Sequence, residues 1–285
     1  MAVVKKKTGA MSPKSKAKVE TVSDDLTLPK ELSVPHTELG DYSWLLFGRK
    51  KVGKTMLSSK FPRTFHMMLE PGGKALKIFQ RPVSKWSEFT GYVKLLEKDK
   101  SFNTQVVDTV DILYKQCSDA VCRKMGIDHP ADEDWGKGWS AVRDEFTRWI
   151  QRLINNGKGT IFISHAVERE IKQRTGGSYH TIQPTLQGMA RDILEGMVDI
   201  FAYFDYEGDQ RILTIRGDES VAAGNRLENH FRWEGREVPK VYMGASADEG
   251  YRNLVACFNN KYKYEFEAEN EDTPIVAVKK LKVAK

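Results

Sequence analysis

Residues 47–57 read FGRKKVGKTML, and Gly48, Gly53, Lys54 and Thr55 meet the pattern G-x-x-x-x-G-K-[ST]. Such a loop turns successive backbone N–H groups toward one phosphate, with its glycines allowing the tight path. The expected cradle runs from Gly48 through Lys51, Val52, Gly53, Lys54 and Thr55 to Met56 at the start of a helix. Lys54 is expected to reach the β- and γ-phosphates, and the Thr55 hydroxyl to ligand Mg²⁺. The alternative is a basic turn with no ligand.

Three more residues have types suited to phosphoryl chemistry. Asp108 follows Gln105-Val106-Val107, where a carboxylate at a strand end holds Mg²⁺ directly or through water. Read blandly, it caps the helix that begins near Val110. Glu70 precedes Pro71-Gly72-Gly73 and is either the carboxylate that orients an attacking water or a surface glutamate before a turn. His165, after Ile163-Ser164, either contacts the γ-phosphate or closes a strand.

These residues need a scaffold that brings strand ends together. Tyr42 to Phe47 is an apolar run of strand length, and Lys54 to Lys60 reads as a helix stopped by Pro62. Thr64 to Leu69 is the second strand candidate, and Trp86, Phe89, Val93 and Leu96 fall on one helical face. A helix is expected from about Val110 to Met125. A loop over Gly126–Gly138 and a helix carrying Trp139, Val142, Phe146, Trp149, Ile150 and Leu153 should follow. Thr160 to Ile163, Met197 to Phe204 and Arg211 to Arg216 complete the strand-like runs. Strands alternating with helices predict an α/β fold with a mostly parallel central sheet flanked by helices. Ligands of such sheets gather at the carboxyl ends of the strands, the places of the phosphate loop, Glu70, Asp108 and His165.

The chain has 285 residues, a formal charge of +6 and 3 cysteines. No apolar run is long enough for a membrane span and no secretory signal opens the chain, so a cytoplasmic protein is expected. The cysteines have neither zinc spacing nor a disulfide pattern, and are expected to be reduced. The domain division is a flexible basic tail over 1–40, a nucleotide-binding core over 41–240 and an extension over 241–285. Lys5, Lys6, Lys7, Lys14, Lys16 and Lys18 crowd the first segment, and EFEAENED and a lysine-rich end close the last. Both ends read as solvated arms, suited either to solubility alone or to weak contact with a polyanion.

The succession FGRKKVGKT, MMLEPGG, QVVDTVDIL and GWSAVRDEFTRWIQRLINNGKGTIFISHAV resembles the RecA-like ATPase core. GKGWSAVRDEF, IFISH, IQPTLQG and AAGNR are similar to phage-type RecA-like proteins associated with single-strand DNA annealing. This resemblance, over about Leu45 to Arg226, implies a RecA-like P-loop NTPase fold, ATP with Mg²⁺, and single-stranded DNA as partner. It further implies a homo-oligomer, ring or filament, and a single-strand-binding protein as a second partner. By resemblance Glu70 takes the place of the water-activating glutamate and Asp108 that of the Mg²⁺-linked aspartate. His165 takes that of a polar γ-phosphate sensor at the root of a DNA-binding loop, and Arg216 or Arg226 would reach a neighbouring subunit's nucleotide. Salt-bridging to Asp218 or Glu219 is the alternative for Arg216.

Behind His165, Arg169, Lys172, Arg174, Tyr179 and His180 surround Gly176-Gly177, combining cations, rings and mobile backbone as a single-strand binder does. Glu168 and Glu170 favour an ordinary charged loop instead. Together these features lead to an ATP-hydrolysing, single-stranded-DNA-binding protein acting in annealing or recombination. The rivals are a nucleotide-gated scaffold with little hydrolysis and a small-molecule or nucleoside kinase.

Overall fold

The computed structural model describes residues 28–174 and 176–266. Both lysine-rich ends and most of the acidic stretch lie outside them. Residues 28–35 belong to a separate small unit with Leu28, Leu32 and Val34 exposed, and the unit that carries the fold begins at His36.

Strand β1 (Ser43–Gly48) is buried along its whole length. It leads into helix α1 (Lys54–Ser58), strand β2 (Thr64–Met68), edge strand β3 (Phe79–Pro82) and helix α2 (Trp86–Leu96). Strand β4 (Thr104–Asp108), helices α3 (Val110–Met125) and α4 (Lys137–Ile154), strands β5 (Gly159–Lys172) and β6 (Ser178–Pro184), and helix α5 (Gly188–Met197) follow. Then come β7 (Ile200–Glu207), β8 (Gln210–Thr214), β9 (Gly224–Asn225), β10 (Arg232–Trp233), β11 (Arg236–Glu237), β12 (Lys240–Tyr242) and helix α6 (Ala247–Phe258). The main sheet runs β12-β8-β7-β1-β5-β4-β2-β3, with β6 on β5 and β9 on β7. From β7 to β3 all neighbours are parallel, while β8, β12, β9 and β6 pair antiparallel.

Period-two alternation divides the apolar side chains between two cores. Leu45, Val107 and Phe162 face one side, where α2, α3, α4 and α5 cover them. Trp44, Leu46, Val106, Ile161 and Ile163 face the other, against Leu57 of α1 and Leu254, Cys257 and Phe258 of α6. With both faces covered, the central strands read as near-continuous apolar runs. Gln105, buried among them, is partnered: its amide donates to Leu153 O at 2.7 Å and to Thr160 Oγ1 at 2.9 Å. The layering, the strand directions and the phosphate loop leaving β1 make this a RecA-like P-loop NTPase fold.

Helix α3 has the expected limits, and Val142, Phe146, Trp149, Ile150 and Leu153 of α4 are buried as their spacing requires. The polar stretch behind His165 is a regular antiparallel hairpin, β5 running on to Lys172 and pairing with β6. Two 3-10 turns, Pro130–Asp132 and Asp134–Gly136, occupy the loop between α3 and α4. The motif-free chain beyond Arg226 supplies β10 to β12 and α6, and buries Phe231, Val241, Met243, Leu254 and Phe258. No described helix is long and apolar enough to cross a membrane.

Candidate nucleotide site

The carboxyl ends of β1, β2, β4 and β5 form one rim, because Gly48 lies opposite His165, and Asp108 opposite both Met68 and Ile163. Gly48 is demanded by the crossing to β7: a Cβ there would lie 1.9 Å from Phe204 O. Gly53 caps α1 with φ 111°, a backbone that glycine takes without strain. Between them the loop turns so tightly that Lys51 has φ 66°, and Val52 is buried beneath it. Met56, one turn on, stays half-exposed in a small cleft with Lys51, Arg211 and Met243.

Lys54 is 6% exposed and its ammonium donates to Gly48 O at 2.8 Å and Arg49 O at 2.9 Å. Burial pushes its pKa down to about 8, although Asp108, Glu70, Asp111 and Asp205 all draw it upward. Thr55 Oγ1 donates to Asp108 Oδ2 at 2.5 Å, joining the helix after the loop to the end of β4. Burial raises the Asp108 carboxyl above the usual range, with the Thr55 hydrogen bond and Lys54 acting against it. A cation beside that carboxylate would relieve the same burial cost. The donor set fits Mg²⁺, since a hydroxyl and a carboxylate are oxygen ligands for a hard cation. Among the described residues no cluster of three or more His, Cys, Asp or Glu could hold a metal, so substrate phosphates would have to complete the shell.

Glu70 lies beyond β2, its amide donating to Asp108 O at 3.2 Å. Its carboxylate accepts from Thr109 Oγ1 at 2.9 Å and faces His165 Nε2 at 3.2 Å. One carboxylate is thus held from β4 and β5 at once, while His165 Nδ1 is buried without a partner. The structure therefore brings Lys54, Thr55, Asp108, Glu70 and His165 together. Thr109, unremarked in the sequence, belongs with them; its signal is a hydroxyl directly after the strand-end aspartate.

Arg216 and Arg226 are not brought to this rim. Arg216 follows β8, which runs antiparallel to β7 and so away from the rim, and pairs with Glu237 at 2.8 Å rather than with Asp218 or Glu219. Arg226 follows β9, whose Asn225 faces Ile200 at the opposite end of the sheet, and its guanidinium donates to Gly196 O at 2.6 Å.

The hairpin rises from His165. Cross-strand partners share a face, so Arg169 and Ile171 lie with Thr181 and Tyr179, and Glu168, Glu170 and Lys172 with Ile182, His180 and Ser178. Arg169 and Tyr179 thus belong to one face. Lys172 and His180 belong to the other, where Glu168 stands 3.5 Å from His180. Arg174 is exposed in the turn. The three cysteines Cys117, Cys122 and Cys257 are free and buried, and burial pushes the Cys257 thiol up to about 12.

The chain is similar to an uncharacterized SPbeta prophage-derived protein of Bacillus subtilis (strain 168), YorG, at 29% identity over 219 residues, 74% of this chain and 64% of that protein. It therefore spans less than two thirds of that relative. Among solved structures, a KaiC-like protein of Pyrococcus horikoshii OT3 superposes with TM-score 0.44 and 14% identity over 73% of this chain and 88% of the other. The AAA domain family matches residues 41–227, more than half of the chain, and this protein, with its P-loop ATPase-type core, belongs to that family.

Proposed function

We propose that the protein hydrolyses ATP with Mg²⁺ and couples that cycle to single-stranded DNA held by the β5–β6 hairpin, in annealing or recombination. The observation that carries this reading is the chain of contacts Thr55–Asp108 and Thr109–Glu70–His165, which ends at the root of the basic hairpin. Lys54 and the amides of Lys51 to Thr55 bind the phosphates, and Thr55 with Asp108 would hold the cation. Magnesium bound there would supply positive charge that offsets the charge of the phosphates. Glu70 orients the water: its oxygen bonds to the γ-phosphorus as the bond to the bridging oxygen breaks, and its proton passes to the carboxylate. His165 contacts the γ-phosphate and passes its presence to the hairpin. The prophage origin of the relative is consistent with a phage-borne protein.

Turnover by the full chain, with and without Mg²⁺ and single-stranded DNA, tests this beside Lys54→Ala. Mg²⁺-dependent turnover that DNA stimulates, and that Lys54→Ala abolishes, is the expected result. Turnover indifferent to DNA would reject the DNA half of the reading, and turnover equal in Lys54→Ala would reject all of it.

A further inference from the structure

The hairpin is attached to the nucleotide site at more than His165. Asp111 lies in the first turn of α3, three residues beyond Asp108. Its Oδ1 accepts from Ser164 Oγ at 3.1 Å and from Thr185 Oγ1 at 2.6 Å. Ser164 is the residue of β5 just before His165, and Thr185 directly follows β6. Thr185 N also donates to His165 O at 2.9 Å. One carboxylate oxygen therefore ties both strands of the hairpin, at their roots, to the helix that begins beside Asp108.

The choice of a carboxylate needs its own explanation. Two hydroxyl donors would be served as well by the neutral carbonyl of an asparagine. Asp111 instead keeps a second oxygen, Oδ2, shielded from solvent and without a hydrogen-bond partner, an arrangement that folded proteins generally avoid. It also lies within the electrostatic reach of Lys54. A charge placed there responds when phosphates take over the lysine, and among the described residues its side chain is hydrogen-bonded by the two roots of the hairpin.

We infer that Asp111 is a positioning residue that sets the hairpin against the nucleotide site, so that occupancy of the phosphate loop is felt in β5 and β6 through Ser164 and Thr185. This rests on the nucleotide-binding half of the reading above but not on DNA. It differs from a signal through His165 because Asp111 touches neither Glu70 nor His165 side chains in the contacts described.

Thr185 offers a clean test, since it is exposed and its hydroxyl can be removed or kept at nearly constant shape. Hydrogen exchange of the full chain is followed with and without Mg²⁺ and a non-hydrolysable ATP analogue, for the parent, Thr185→Val and Thr185→Ser. The analogue should slow exchange in residues 49–57 in all three proteins. In the parent and Thr185→Ser it should also change exchange in the hairpin by about five-fold or more, and in Thr185→Val that change should be lost. Asp111→Asn, which keeps the acceptor oxygen and loses the charge, should likewise lose it. A hairpin response retained in both Thr185→Val and Asp111→Asn overturns the proposal. So does a parent protein whose loop is protected while its hairpin is unmoved. A parent whose loop is not protected at all removes the nucleotide reading, and this inference with it.

Discussion

Lys54 is held by two carbonyls of its own loop and buried to the point where its proton is lost near pH 8. Phosphate oxygens add negative charge beside it and favour the ammonium, so its pKa must rise when nucleotide binds. The sign follows. Below pH 8 the free protein already holds the proton and binding takes up little. Above pH 8 the free protein has lost it and binding must recover it. Nucleotide affinity should therefore decline as pH rises through about 8, approaching about ten-fold per pH unit, with uptake nearing one proton. Calorimetry at pH 8.5 in two buffers of different ionisation enthalpy measures that uptake; a value of zero would mean the lysine does not meet the phosphates. The same burial shifts Asp108 the opposite way, raising its carboxyl.

The hairpin formed by β5 and β6 assigns its candidate DNA contacts to two faces, and the faces are chemically unequal. Arg169 and Tyr179 share theirs with Ile171 and Thr181, a cation and a ring on a surface free of acids among the paired residues. Lys172 and His180 share theirs with Glu168 and Glu170, which oppose a polyanion. Single-stranded DNA should lie on the first face. Tyr179→Ala should weaken binding by about 1–3 kcal/mol, the range found for one stacked base, while His180→Ala should change it far less. Fluorescence titration with labelled oligonucleotide separates the two; equal losses would place DNA elsewhere. This hairpin also shows where reading by periodicity stops. The phosphate loop and α4 were legible because their signals are local: a fixed spacing, and apolar residues recurring at helical intervals. Beyond His165 neither face of β5 is wholly buried, so no period-two pattern marks it as strand, and it reads as loop. Edge strand β3 is invisible for the same reason. Strand β12 depends on register with β8, and α6 on a core assembled from distant strands, which single-chain motifs do not record. Thr109 and Asp111 adjoin the legible Asp108, yet their partners lie 39 to 74 residues away in sequence.

Arg216 raises the question of whether one chain makes a complete site. Strand β8 carries it away from the rim that holds Lys54, and its partner Glu237 lies on β11, so within one subunit it has no path to its own phosphate loop without refolding the sheet edge. Its ion pair is exposed, and such pairs contribute about 0–1 kcal/mol, so a second subunit could draw the guanidinium off at little cost. If Arg216 serves a neighbour, the contact is heterologous, with the loop side of one copy facing the β8 side of the next. That arrangement has a consequence that no single variant reveals. Arg216→Ala retains its own phosphate loop but supplies no cation, whereas Lys54→Ala supplies the cation but has no working loop. Each should be nearly inactive alone. When equal amounts are mixed and allowed to exchange, about a quarter of the interfaces combine a sound loop with a sound arginine, and turnover should recover to about that fraction of the parent rate. A mixture no more active than the sum of its components would assign Arg216 to its pair with Glu237, and full activity of Arg216→Ala alone would do the same.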